Sequence, residues 1–174
     1  MTATVGRPAP EFSLEGVITG HAFKNYSLSE KKGKWVVLFF YPLDFTFICP
    51  TEITQFSKQH AEFEKLNAVV FGVSTDSAHS HKAWLKELGD LKYPLLSDMS
   101  HKVSREYGTL IEEQGISLRG TFIIDEEGML RYSLIHDNGV GRSVKEILRA
   151  LAALQSGELC PVEWVPGEKT LGKA

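Results

Sequence analysis

Cysteine is scarce in this chain of 174 residues: only Cys49 and Cys160 occur, and no Cys-x-x-Cys pair is present. Two cysteines cannot staple a disulfide scaffold, and the spacing of a fused redox dithiol is missing. No apolar run reaches the about 18 residues that a membrane-spanning helix needs. Neither Gly-x-Gly-x-x-Gly nor a P-loop occurs, so no nucleotide-binding turn is expected. The six histidines (His21, His60, His79, His81, His101 and His136) pair with no cysteine or carboxylate at a metal-ligand spacing. His79-x-His81 reads as an exposed helix start. Neither a metal nor a bound cofactor is expected. A formal net charge of -3 gives no reason to expect nucleic acid or an anionic membrane as partner. The one basic cluster, Lys31-Lys32-Gly33-Lys34, reads as a solvated loop. Met1 to Pro8 lacks the basic and apolar parts of a secretory signal, so a cytoplasmic location is expected. There, two cysteines stay reduced or cycle in catalysis.

Hydrophobic content of 43% and charged content of 24% suit one globular domain. Residues 10–28 read as a hairpin region with turn signals at Gly16 and Gly20. Trp35 to Tyr41 is a continuous apolar run, the pattern of a strand covered on both faces. Thr51 to Asn67 carries Ile53, Phe56, His60, Phe63 and Leu66 at helical spacing. Ala68 to Thr75 is a second buried strand, and Ser77 to Leu88 a helix bearing Trp84, Leu85 and Leu88. Residues 93–98 suggest a short strand exit and 100–107 a short helix. Thr121 to Asp125 and Met129 to Ile135 flank a turn at 125–128. Val144, Ile147, Leu148, Leu151 and Leu154 form one helical stripe, with Ser143 as N-cap and Gly157 as stop. This order predicts an α/β fold with a mixed sheet. Trp35, Trp84 and Trp164 read as packing residues, with Trp164 alternatively covering a neighbouring subunit.

Cys49 stands between the apolar strand and the following helix. A thiol at a helix N-terminus meets the positive end of the helix dipole, which favours the reactive thiolate. Pro50 fits the first helical turn, where a missing N–H costs little.

Pro42-x-x-x-Thr46-x-x-Cys49, followed by Pro50-Thr51-Glu52, resembles the active-site signature of the peroxiredoxins, most closely the typical two-cysteine group that includes alkyl hydroperoxide reductase subunits. Leu118-Arg119-Gly120-Thr121-Phe122-Ile123-Ile124-Asp125 is similar to a second family block. Glu158-Leu159-Cys160-Pro161 with Trp164 is similar to the resolving-cysteine region. The likeness runs from about Val5 to Gly167. It implies a thioredoxin-like fold over residues 1–157 and a C-terminal tail, 158–174, carrying Cys160. It also implies a thiol-dependent peroxidase acting on hydrogen peroxide and small organic hydroperoxides.

In that scheme Cys49 is oxidised to a sulfenic acid. The Thr46 hydroxyl contacts a peroxide oxygen, Pro42 shapes and shields the loop, and Arg119 stabilises thiolate and developing oxyanion. Glu52 and Arg142 are candidates for orienting that cation, though surface ion pairs would explain them equally well. Cys160 of the partner subunit would close a disulfide with Cys49. A thioredoxin-like protein or a flavoprotein would then reduce it. The resemblance further implies a homodimer that assembles into a ring of dimers, with a holdase role as a secondary possibility. Relatives prone to overoxidation carry Gly-Gly-Leu-Gly and a C-terminal Tyr-Phe. Here Glu87 to Pro94 lacks the first, and the sequence ends without the second. Fast disulfide closure and resistance to sulfinate are expected.

Overall fold

The computed structural model describes residues 2–173. The elements are β1 (Ser13–Val17), β2 (Lys24–Ser27), β3 (Trp35–Phe40), α1 (Cys49–Lys58), α2 (His60–Lys65), β4 (Ala68–Ser74), α3 (Ala78–Leu88), β5 (Leu95–Ser97), α4 (Lys102–Glu106), β6 (Leu110–Ile111), β7 (Ile116–Ser117), β8 (Arg119–Ile124), β9 (Leu130–His136) and α5 (Val144–Ser156). Seven strands form one sheet in the order β2-β1-β5-β4-β3-β8-β9. β3, β4 and β5 run parallel, whereas β1, β8 and β9 add antiparallel pairings. The mixed α/β sheet expected from the element order is therefore present. Among the described residues no helix is long and apolar enough to cross a membrane.

β3 explains the sheet's central position. Val37 and Phe39 point to one face and Val36, Leu38 and Phe40 to the other, all buried. A strand covered on both sides has no polar alternation to keep. The first face packs under α1, α3 and α5 through Ile53, Phe56, Trp84, Ile147 and Leu151. Phe39 and Phe56 stack there with centroids 4.3 Å apart. The second face is covered by α4 and the N-terminal segment through Phe12, Leu28, Val103 and Tyr107. Both parallel crossovers put their helices on the first face, as right-handed connections require when they extend the sheet in one direction.

Several local expectations change. The helix expected over 51–67 starts at Cys49 and breaks at Gln59 (φ -95°, ψ 6°) into α1 and α2. The apolar spacing runs through that break unaltered, so periodicity does not register it. Gly16 is no turn residue. It lies inside β1 between Lys24 and Leu96, where a Cβ would sit 2.4 Å from Leu96 Cδ2 and 2.8 Å from the Leu95 carbonyl oxygen. Gly20, at φ +79°, does turn the chain. The small β6–β7 hairpin has too few residues to leave a pattern. α5 behaves as expected: Ser143 Oγ accepts from the Glu146 N–H, and Gly157 ends the helix at φ +64°.

His81 departs most from its expected exposed position. It is fully buried, because Ala78, His81, Trp84 and Leu85 share the inward face of α3.

Candidate active site

The site lies at the carboxyl end of β3, where open α/β sheets place their ligands. Loop 41–48 carries the chain from β3 to α1. Cys49 is the first residue of α1, with Pro50 next to it, and has no exposed surface. Its sulfur sits at the positive helix end. A cation faces it: Arg119 Nη1 donates to Cys49 Sγ at 3.5 Å. Arg119 opens β8, and is carried to Cys49 because β8 pairs with β3.

Glu52, one turn into α1, binds both arginines. Its Oε2 accepts from Arg119 Nη1 at 2.7 Å and from Arg142 Nη2 at 3.2 Å. Its Oε1 accepts from the Arg142 backbone N–H at 2.8 Å and from Arg142 Nε at 3.0 Å. Arg119 Nε reaches the Asn138 carbonyl at 3.0 Å. Arg142 also donates to the carbonyls of Gly120 and Phe40 and lies over the Phe39 ring. Burial lowers the Arg142 guanidinium from its usual value, while Glu52 pulls it back up.

The Arg142 and Glu52 side chains are only 1% and 2% exposed, so the surface ion-pair alternative is excluded. Two guanidiniums against one carboxylate leave one surplus positive charge in a dry site. A Cys49 thiolate would neutralise it.

Pro42 is buried in the same loop, and Thr46 is half-buried. The Thr46 hydroxyl donates to the Leu43 carbonyl at 2.9 Å. Its oxygen is free to accept, but donation to a peroxide requires the O–H to rotate away.

The family model described as "AhpC/TSA family" matches residues 5–133. The chain belongs to that family and is a peroxiredoxin, a thiol-dependent peroxidase. It is similar to YkuU of Bacillus subtilis (strain 168), which carries a peroxiredoxin name, at 57% identity over 96% of this chain and 97% of that protein. Peroxiredoxin-2 of Bos taurus is 54% identical, over 97% and 89% respectively. Among solved structures, the reduced 2-Cys peroxiredoxin of Plasmodium vivax superposes with a TM-score of 0.92 at 38% identity, covering 95% of this chain and 91% of that one. The thioredoxin-like fold goes with this membership.

Cys160 stands apart from the peroxiredoxin cluster. Its Sγ is 3.5 Å from Ser156 Oγ and 3.9 Å from the Ala153 carbonyl, on the last turns of α5. Both cysteines are free. Arg142, just before α5, touches Glu52, whereas Gln155 at the other end donates to the Leu66 carbonyl. α5 has 13 residues, about 20 Å at 1.5 Å per residue. The two thiols of one chain thus sit at opposite ends of that helix.

Trp164 is 6% exposed. Its carbonyl accepts from Arg149 Nη1 on α5, and its Nε1 donates to the Glu168 carbonyl. It packs on its own chain rather than leaving an aromatic surface for a neighbour.

Sequence reasoning missed Asp44 and His81, which meet beside the Cys49 loop. Their separation of 37 residues leaves no spacing to read. Only the stripe of Ala78, His81, Trp84 and Leu85 could have pointed His81 inward.

Proposed function

We propose that Cys49 is the peroxidatic nucleophile of this peroxiredoxin and that it reduces hydrogen peroxide and small organic hydroperoxides. The contact between Arg119 and Cys49 Sγ, backed by Glu52 and Arg142, carries this reading. The thiolate attacks the terminal peroxide oxygen, an S–O bond forms and the O–O bond breaks. The leaving oxygen takes a proton and departs as water or alcohol, and Cys49 is left as a sulfenic acid. Arg119 offsets the negative charge that moves from sulfur to oxygen. Thr46 orients the peroxide, Pro42 keeps the loop around it, and Glu52 with Arg142 aims Arg119.

Cys160 of a second subunit then attacks the sulfenic sulfur and releases water, leaving a disulfide between chains. The placement of the two thiols supports a pairing across subunits, since a disulfide needs Cα atoms within about 7 Å. A thiol-bearing reductant, thioredoxin-like or flavoprotein, returns both cysteines to thiols. A homodimer, assembling into a ring of dimers, is the species that cycles. The reducing cytoplasm suits a pair of thiols that must be regenerated.

Trapping the first intermediate tests the scheme. With Cys160→Ser and one equivalent of hydrogen peroxide, a sulfenic-specific dione should add to Cys49 and to no other residue by peptide mass mapping. An unmodified Cys49 under these conditions would refute it.

A further inference from the structure

The fold buries a second hydrogen-bonded polar cluster that the peroxide chemistry above leaves unused. His81 Nδ1 lies 2.8 Å from Asp44 Oδ2, and Nε2 lies 3.1 Å from the Leu96 carbonyl oxygen. A carbonyl can only accept, so Nε2 carries a hydrogen. Asp44 Oδ1 accepts from the Tyr41 hydroxyl at 2.8 Å, and Oδ2 accepts from Ser80 Oγ at 2.7 Å. The Asp44 backbone N–H donates to Asp76 Oδ2 at 2.8 Å. Ser74 Oγ donates to that same oxygen. Asp44 is therefore held through side chain and backbone at once, from α3, from β4 and, by way of His81, from β5.

A buried polar pair is weak evidence for stability alone, and this one does not join two core elements directly. It holds loop 41–48, which ends at Cys49. The residue after Asp44, Phe45, adopts φ +54°, a left-handed conformation that bulky side chains avoid and that persists only where the surroundings over-determine it. Its ring rests 5.7 Å from that of Trp84, one turn beyond His81 on α3. The clamp and the strained residue are thus adjacent, five and four positions before Cys49.

We propose that Asp44 and His81 are positioning residues for the peroxidase reaction, whose pairing holds the strained 41–48 loop closed with Cys49 against Arg119. The inference rests on Cys49 being the peroxidatic thiol. Closed, the loop presents the sulfur to Arg119, but the buried sulfur is out of reach of a second thiol. Open, Cys49 loses Arg119 and becomes accessible to Cys160. The clamp therefore acts in opposite directions on two steps, speeding oxidation and slowing disulfide closure.

That opposition is measurable. In rapid-mixing experiments on the full chain, hydrogen peroxide consumption gives the first rate, and quenched samples analysed by mass give disulfide closure. Asp44→Asn and His81→Gln are expected to slow oxidation by about tenfold or more while accelerating disulfide closure. Ser80→Ala, which removes one bond to Asp44, should move both rates the same ways by a smaller factor. Val103→Ala, on the opposite face of the sheet, should lower thermal stability and leave both rates unchanged. Two rates that stay at the unaltered values, or that fall together, in the clamp variants would overturn the inference. If the two stronger variants do not fold, an unchanged ratio of rates in Ser80→Ala overturns it alone. A lack of Cys49 oxidation in the unaltered chain would instead remove the underlying reading of the site.

Discussion

Glu52 is the single residue on which the cation geometry depends. Its carboxylate takes hydrogen bonds from both Arg119 and Arg142. Removing it leaves two like charges buried side by side. Deleting one partner of a buried pair costs about 3–5 kcal/mol, so Glu52→Ala should lower unfolding stability by that order in a denaturant titration. Glu52→Gln keeps the shape and part of the bonding and should cost less. Arg119→Ala should slow Cys49 oxidation by about 10²- to 10³-fold, as loss of a preorganised donor does elsewhere. A fall of less than about threefold would remove Arg119 from the proposed mechanism. Cys49, Arg119, Pro42 and Thr46 were legible in the sequence because their motif has fixed spacing within short blocks. Glu52 and Arg142 could be named but not distinguished from surface charges, since burial is a tertiary property. Asp44 lay inside the motif without a role, because its partner arrives from α3. Tyr41 belongs to the same cluster, and its phenol is pushed well above its usual range, first by burial and then by Asp44.

Among the elements, close approach and capping decide the local outcomes. Gly16→Ala would place a methyl group against Leu96 and the Leu95 carbonyl. Overpacking of this kind costs about 1–3 kcal/mol, and thermal melts should show the loss. Ser143→Ala removes the N-cap of α5 and should cost about 1 kcal/mol, with a small effect on oxidation because Arg142 is the preceding residue. The tail is pinned on α5 through Trp164 and the Arg149–Glu146 pair. In the proposed cycle Cys160 leaves that surface to meet another subunit's Cys49. Trp164→Ala should therefore accelerate disulfide closure while leaving sulfenic acid formation unchanged, and a slower closure would show that the docked tail is the competent one. α5 itself was readable to within a residue from its stripe and caps. The break between α1 and α2 was not, since one residue of altered backbone leaves the apolar spacing intact. Gly16 misled for a related reason: glycine marks turns and close approaches alike, and only the neighbouring strand separates them.

For the whole molecule, the order of elements along the chain and the mixed sheet followed from apolar runs and hairpin signals, but the spatial order of the strands, their register and the pairing of β8 with β3 did not. That pairing brings Arg119 to Cys49 across 70 residues of sequence. Sheet topology thus makes the oxidation site within one chain, while α5 holds the second thiol at its far end. In the cycle proposed above, such a chain closes its disulfide by meeting another copy. Mixing two inactive variants measures this directly. Cys49→Ser and Cys160→Ser chains should each give no disulfide-linked dimer when treated alone with peroxide. Mixed under subunit exchange and then oxidised, they should give a dimer-sized band on a non-reducing gel, reversed by dithiothreitol, whose mass map joins Cys49 of one chain to Cys160 of the other. A Cys49–Cys160 disulfide in the unaltered protein that maps within one chain, with no linked dimer from the mixture, would contradict the pairing across subunits.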